Sequence, residues 1–172
     1  MALLAAASCT KDPATKPSPS PAAPTSSEYQ PEAKQALTYT TPAGWVSEKP
    51  TEPMRKAQYR VPGKGGGGPA LLTFFRMSNM PVDTMVQYWR DKMGGADAAV
   101  TKVEGAKCPT TIVDISGASS DANIDNARFL GAIIDVGNDQ WAWYLKFVGP
   151  AETVTAWKAD FLAMLKGVRT VE

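Results

Sequence analysis

The sequence predicts a domain of the α/β (α+β) class, a three-layer α-β-α sandwich around a largely antiparallel sheet. Three patterns lead there. Several short segments rich in β-branched and aromatic residues are joined by turn-forming loops, as antiparallel strands are. Two longer segments carry apolar residues at spacings of three and four, the period of an amphipathic helix. The late strand segments are apolar on both faces, so one helix is expected on each side of the sheet.

Globular patterning begins at residue 36 and is expected to continue as one domain to residue 172. Leu37-Thr38-Tyr39-Thr40 alternates and leads into Thr41-Pro42-Ala43-Gly44-Trp45, a turn followed by a second short strand, with Pro50 and Pro53 closing that piece. Met54 to Val61 reads as a strand, and Pro62 to Pro69, with glycine at every position from Gly65 to Gly68, as a flexible hairpin connection into a strand over Ala70 to Arg76. Val82, Met85, Val86, Trp89 and Met93 then form a helical stripe over Pro81 to Met93, with Ser78 or Asn79 placed to cap it and Gly94-Gly95 to end it.

Strands are expected next over Val100 to Glu104, Thr111 to Ser116, Phe129 to Val136 and Gln140 to Val148. The last of these puts Trp141, Trp143, Leu145 and Phe147 on one face and Ala142, Tyr144 and Val148 on the other. Pro150 to Val168 supplies a final helix whose stripe is Val154, Trp157, Phe161, Met164, Leu165 and Val168. Pro150 suits a first-turn position, while Glu152 at the start and Lys166 and Arg169 at the end complement the helix dipole.

The order of these elements resembles the PsbP-like fold, shared by extrinsic photosystem II subunits and Ran-binding Mog proteins. The resemblance rests on Tyr39-Thr40-Thr41-Pro42-Ala43-Gly44-Trp45, on Met54 to Tyr59, and on Phe147-Val148-Gly149-Pro150 leading into the helix that contains Trp157. It is similar in layout to uncharacterised bacterial envelope lipoproteins as well. The resemblance implies a binding or assembly module and brings no catalytic motif with it.

Ahead of the domain, Met1 to Cys9 is an apolar run ending in small residues before a cysteine. It resembles the end of a bacterial lipoprotein signal peptide, which implies acylation at Cys9 and attachment to a membrane of the cell envelope, facing periplasm or exterior. From residue 10 to residue 35 there is no Leu, Ile, Val, Phe, Met or Trp, and six prolines interrupt any helix or ladder, so this stretch is expected to be a disordered tether. At roughly 3 Å per residue when extended, it would hold the domain several nanometres from the anchor.

Composition narrows the chemistry. Eighteen Lys and Arg against seventeen Asp and Glu leave a formal charge of +1, too small a field to draw nucleic acid. The chain has no histidine, which removes Ser-His-Asp, Cys-His, zincin and haem-histidine arrangements. No cofactor is expected. Asp121, Asn123 and Asp125 match the first half of an EF-hand calcium loop, but Asn126 stands at the glycine position and Ala132 at the bidentate Glu position, so an Asx-rich hairpin turn without a metal is the expected reading. Asn126 is able to adopt the left-handed turn that Gly usually supplies at that position. The glycine run lacks the strand-to-helix context of a phosphate loop, with Lys64 ahead of the glycines and a strand after them.

Cys108 is expected to be an inert thiol, with Lys107 beside it the one feature favouring a thiolate. Asp114, Asp135 and Asp139 are candidates for a carboxylate pair of the kind that cleaves glycosides. Most of the five Trp and five Tyr have core positions, and Tyr88 and Tyr144 are the candidates for a binding surface. The sequence thus points to a noncatalytic, lipid-anchored binding or assembly module with a protein partner. Two alternatives stand beside it: a small hydrolase or cation-dependent enzyme using an Asp constellation, and a soluble intracellular protein-binding module.

Overall fold

Segments that alternate apolar and polar residues must pair their backbone N–H and C=O groups with neighbours, and here nearly all of that pairing is antiparallel. A computed structural model of the protein describes residues 36–171. The leader with Cys9 and the proline-rich stretch up to residue 35 lie outside the described residues. The elements in order are β1 (Leu37–Thr38), β2 (Val46–Glu48), β3 (Arg55–Val61), β4 (Ala70–Ser78), α1 (Val82–Lys92), β5 (Ala98–Lys102), β6 (Thr110–Ser119), β7 (Ile124–Ile134), β8 (Trp141–Pro150), α2 (Ala151–Gly167) and β9 (Arg169–Thr170). Seven strands form one sheet in the order β2-β3-β4-β8-β7-β6-β5, and β1 pairs with β9 as a separate ribbon.

The last long strand, β8, enters the centre of the sheet. It pairs with β4 through Leu71↔Val148, Thr73↔Lys146 and Phe75↔Tyr144, and with β7 through Phe129↔Val148 and Ile133↔Tyr144. Its two apolar faces therefore both need cover. Trp143, Leu145 and Phe147 join Leu130, Ala132 and Ile134 against Val154, Phe161 and Leu165 of α2. On the opposite face Ala142, Tyr144, Phe129 and Ile133 pack against Met85, Trp89 and Met93 of α1 and the turn that follows it. Trp89 lies over Gly131, where an added Cβ would stand 2.4 Å from the indole ring.

The expected three-layer α-β-α sandwich is not what the chain builds. Of the described residues 43% are strand and 21% helix, the latter in two helices, so the fold is dominated by its antiparallel sheet. The reason is coverage. Seven strands about 4.8 Å apart span roughly 29 Å, whereas a helix is only about 10 Å wide. One helix on a face is not a layer, and the core beneath α1 is built from β6, β7 and β8, with Phe75 and Met77 of β4 packed at its margin.

Smaller expectations shift for similarly local reasons. Ser78 and Asn79 do not cap α1, because β4 runs on to pair Ser78 with Trp141 and the Asn79 amide donates to Gln140 O at 2.8 Å. The helix starts from Pro81 with no side-chain cap. The β6–β7 hairpin is longer than its apolar pattern suggests, with pairing carried out to Ser119↔Ile124. The glycine connection between β3 and β4 is pinned instead of loose. Thr153, fully buried in the first turn of α2, accepts from Lys64 N at 3.1 Å and donates to Gly68 O at 2.7 Å. The Trp157 indole donates to Pro62 O at 2.9 Å, and the Lys64 ammonium sits 4.1 Å from the Trp157 ring centroid. Gly65 and Gly66 hold φ of +66° and +89°, and a side chain at Gly67 would collide with Thr153 Oγ1. Glycine is required here by a close approach and a left-handed turn.

Candidate functional site

Because α1 covers only part of its side, the surface over β2, β3, β4 and the adjoining edge of β8 is left open. It forms a groove of about 790 Å³, within the size range of ligand clefts. Strand parity decides its floor. Leu72 and Phe74 point to the α2 side and are fully buried, so Leu71, Thr73, Phe75 and Met77 point into the groove. Their cross-strand neighbours Val148, Lys146 and Tyr144 complete it. The floor therefore reads in layers: Leu71 with Val148, Thr73 with Lys146, Phe75 with Tyr144, then Met77. Met85, Tyr88 and Trp89 of α1 form one wall, residues of the β6–β7 turn close it, and Glu48, Glu52, Met54, Arg55 and Arg60 line the far side.

Most of the charge around the groove is already paired. Arg60 Nε stands 2.8 Å from Glu48, whose other oxygen accepts from Gln58 at 3.2 Å. Arg55 donates to Gln58 at 2.8 Å and to Thr51 at 3.0 Å and bridges to Glu52, while its Nε is buried with no hydrogen-bond partner among the described residues. Asp121 sits between two lysines, 3.2 Å from Lys92 and 3.4 Å from Lys146. Partial burial works against its charged form, but the hydrogen bonds and charges of Lys92 and Lys146 outweigh burial and hold the carboxyl below its usual range. One carboxylate shared by two ammonium groups leaves a positive surplus on this side of the groove.

The candidates named from sequence fall in different places. Asp121 lines the groove, but its partners are lysines. Asn123 takes the left-handed turn at φ 52°, and not Asn126, whose side chain instead donates to Glu152 at 3.1 Å. Asp125 is exposed. Among the described residues no cluster of three His, Cys, Asp or Glu side chains has metal-holding geometry. Tyr88 is 49% exposed and contributes to the groove wall. Tyr144 is 1% exposed and lies at the base of the groove floor. Its ring is covered in the α1-side core, and its hydroxyl accepts from Met80 N at 3.0 Å and donates to Ser78 O at 3.2 Å.

The carboxylates proposed as a pair are not brought together. Asp114 pairs with Leu130 in register, while Asp135 N donates to Pro109 O beyond the end of that ladder, roughly 16 Å away at about 3.3 Å per residue. Asp139 lies in the turn before β8. Asp114 faces α2 and is locked by Arg128, at 2.9 and 2.7 Å in a two-pronged contact, and by Lys158 at 2.8 Å. Burial opposes its charge, yet the Arg128 and Lys158 contacts prevail and lower its pKa. That network escaped the sequence reading, although basic residues at Arg128 and Lys158 are a weak local signal for it. Cys108 is buried in the α2-side core, and burial, with Asp135 adding to it against a Thr170 backbone contact, pushes the thiol up. The hint of thiolate character from Lys107 is thereby overturned.

No described helix is long and apolar enough to cross a membrane. The sequence matches no protein-family model and no curated protein.

Proposed function

We propose that this protein is a noncatalytic binding module whose ligand site is the open groove beside α1, carried on a lipid anchor at Cys9. The observation that supports it is the make-up of the floor. Leu71, Phe75, Met77 and Val148 are half-buried apolar side chains on the central pair of strands, arranged along a concave surface at the margin of the α1-side core. The Asp carboxylates that an Asp-based hydrolase needs are separated or bound to cations, which supports binding over hydrolysis. The anchor is supported by the sequence around Cys9 and by the proline-rich stretch that follows it.

Native mass spectrometry of the protein purified from its own cells tests the reading. A bound small-molecule adduct is expected, and it is expected to vanish in Leu71→Trp, which fills the groove without touching the buried core. Intact mass of the same preparation should show acylation that Cys9→Ala removes. An adduct that survives Leu71→Trp in a folded protein would refute the groove as the site, and an unmodified Cys9 would refute the anchor.

A further inference from the structure

We infer that the groove holds a single-chain anionic amphiphile, a long-chain carboxylate, with its alkyl chain over Phe75 and Met77 and its carboxylate at Lys146; this rests on the binding-module reading. The backbone argument comes first. Strand β4 is hydrogen-bonded to β3 on one side and to β8 on the other, and β8 to β7 beyond it. From Leu71 to Phe75 the floor consequently has its backbone paired on both sides, and only the last residues of β4, Arg76 to Ser78, run past the end of the β3 ladder. An extended peptide laid there would bury its own amides without partners, at a cost of about 1–3 kcal/mol each. An alkyl chain has no such groups, and apolar contact is what the floor provides.

The polar inventory then selects the head group. Gln58 and Arg60 are taken up by Glu48 and Arg55, and the Thr73 hydroxyl is directed at Lys146 O. Lys146 is different. Its ammonium has three donors, stands beside Thr73 in the floor 6.0 Å from the Phe75 ring centroid, and makes a long 3.4 Å ion pair to a carboxylate that Lys92 also holds. A second carboxylate at this point would balance the surplus charge. From the Thr73 layer to Met77 the strand rises about 14 Å at ~3.4 Å per residue, which gives an alkyl chain a continuous track. Met77 and Met85 along that track, with Met54 on the far side, are unbranched and polarizable, and they adapt to a chain of variable shape.

The experiment is a titration of the full chain, followed by amide and methyl NMR, with laurate and with dodecyl maltoside, both below their micelle concentrations. Laurate should saturate at one per chain and shift signals of Phe75, Met77, Met85 and Lys146. Lys146→Met should weaken laurate at least tenfold and leave dodecyl maltoside unchanged, and Lys146→Arg should recover most of the loss; a thermal melt of each variant confirms that it is folded. Equal binding of the two amphiphiles at these residues, or no effect of Lys146→Met, would overturn the anionic assignment while leaving the groove as a binding site. Laurate excluded by self-association of the protein, or by an amphipathic helical peptide occupying the same residues, would overturn it in favour of that occupant. No shift in the groove from either amphiphile, together with no adduct in native mass spectrometry, would remove both the inference and the reading beneath it.

Discussion

Replacing Asp114 by Asn removes the charge at the centre of the Arg128, Lys158 and Thr155 network while keeping the side chain's shape. Asp114 and Arg128 are 15% and 18% exposed in their side chains, and Lys158 is 37% exposed. Removing one partner of a fully buried pair costs about 3–5 kcal/mol. Two features reduce that here. Lys158 can turn toward water, and Arg128 keeps its 2.8 Å bond to Thr155. A loss of about 2–3 kcal/mol at neutral pH is expected on that basis, in line with roughly 1.5–3 kcal/mol for a hydrogen bond to a charged group. The pH dependence carries the sharper test. The pKa of Asp114 is lowered in the folded protein. Its contribution is therefore fully present above the unfolded value near ~3.9 and fades as pH falls through the folded value. Urea unfolding of wild type and Asp114→Asn should differ most at pH 7 and converge at pH well below 4. A difference that stays constant across that range, or one under ~0.5 kcal/mol at pH 7, would refute the account of the network.

Two further predictions concern packing on the two faces. Gly131→Ala places a methyl 2.4 Å from Trp89, which is 1% exposed and hemmed in by Phe129, so urea unfolding should register a loss of about 1–3 kcal/mol, and unchanged stability would contradict the described contact. Thr153→Val keeps the shape in α2 but leaves Lys64 N and Gly68 O without their partner, so hydrogen exchange at Lys64 should accelerate and stability should fall by about 1–2 kcal/mol, while unaltered exchange would mean that the glycine connection is held by something else.

Sequence alone determined which residues share a face. The parity of β8, with Trp141, Trp143, Leu145 and Phe147 against Ala142, Tyr144 and Val148, was legible because alternation is a property of a single strand, although Trp141, read as core, is 40% exposed. The helical stripes through Trp89 and Phe161 were legible for the same reason. The two-sided apolar run from Phe129 to Ile134 announced a strand covered on both faces, and it is one. The strand at Leu37 was legible from its alternation, but its pairing with β9 was not, since Arg169–Thr170 carries no period and the pairing joins the two ends of the domain.

Tertiary structure decided what the uncovered surface became. Whether Leu71, Phe75 and Met77 lie under a helix or line a groove depends on how far α1 reaches across a sheet whose strand order is set by pairings some seventy residues apart. The same holds for charge: Asp121 reads as half of a calcium loop until the hairpin delivers it between Lys92 and Lys146. Tyr144 reads as a candidate for a binding surface, and tertiary contacts seat it at the base of the groove floor with its hydroxyl held by Met80 N and Ser78 O. Local periodicity fixes the side on which a residue sits. Only the packing of distant segments fixes whether anything covers it, because cover depends on the width and placement of an element that the strand itself does not encode.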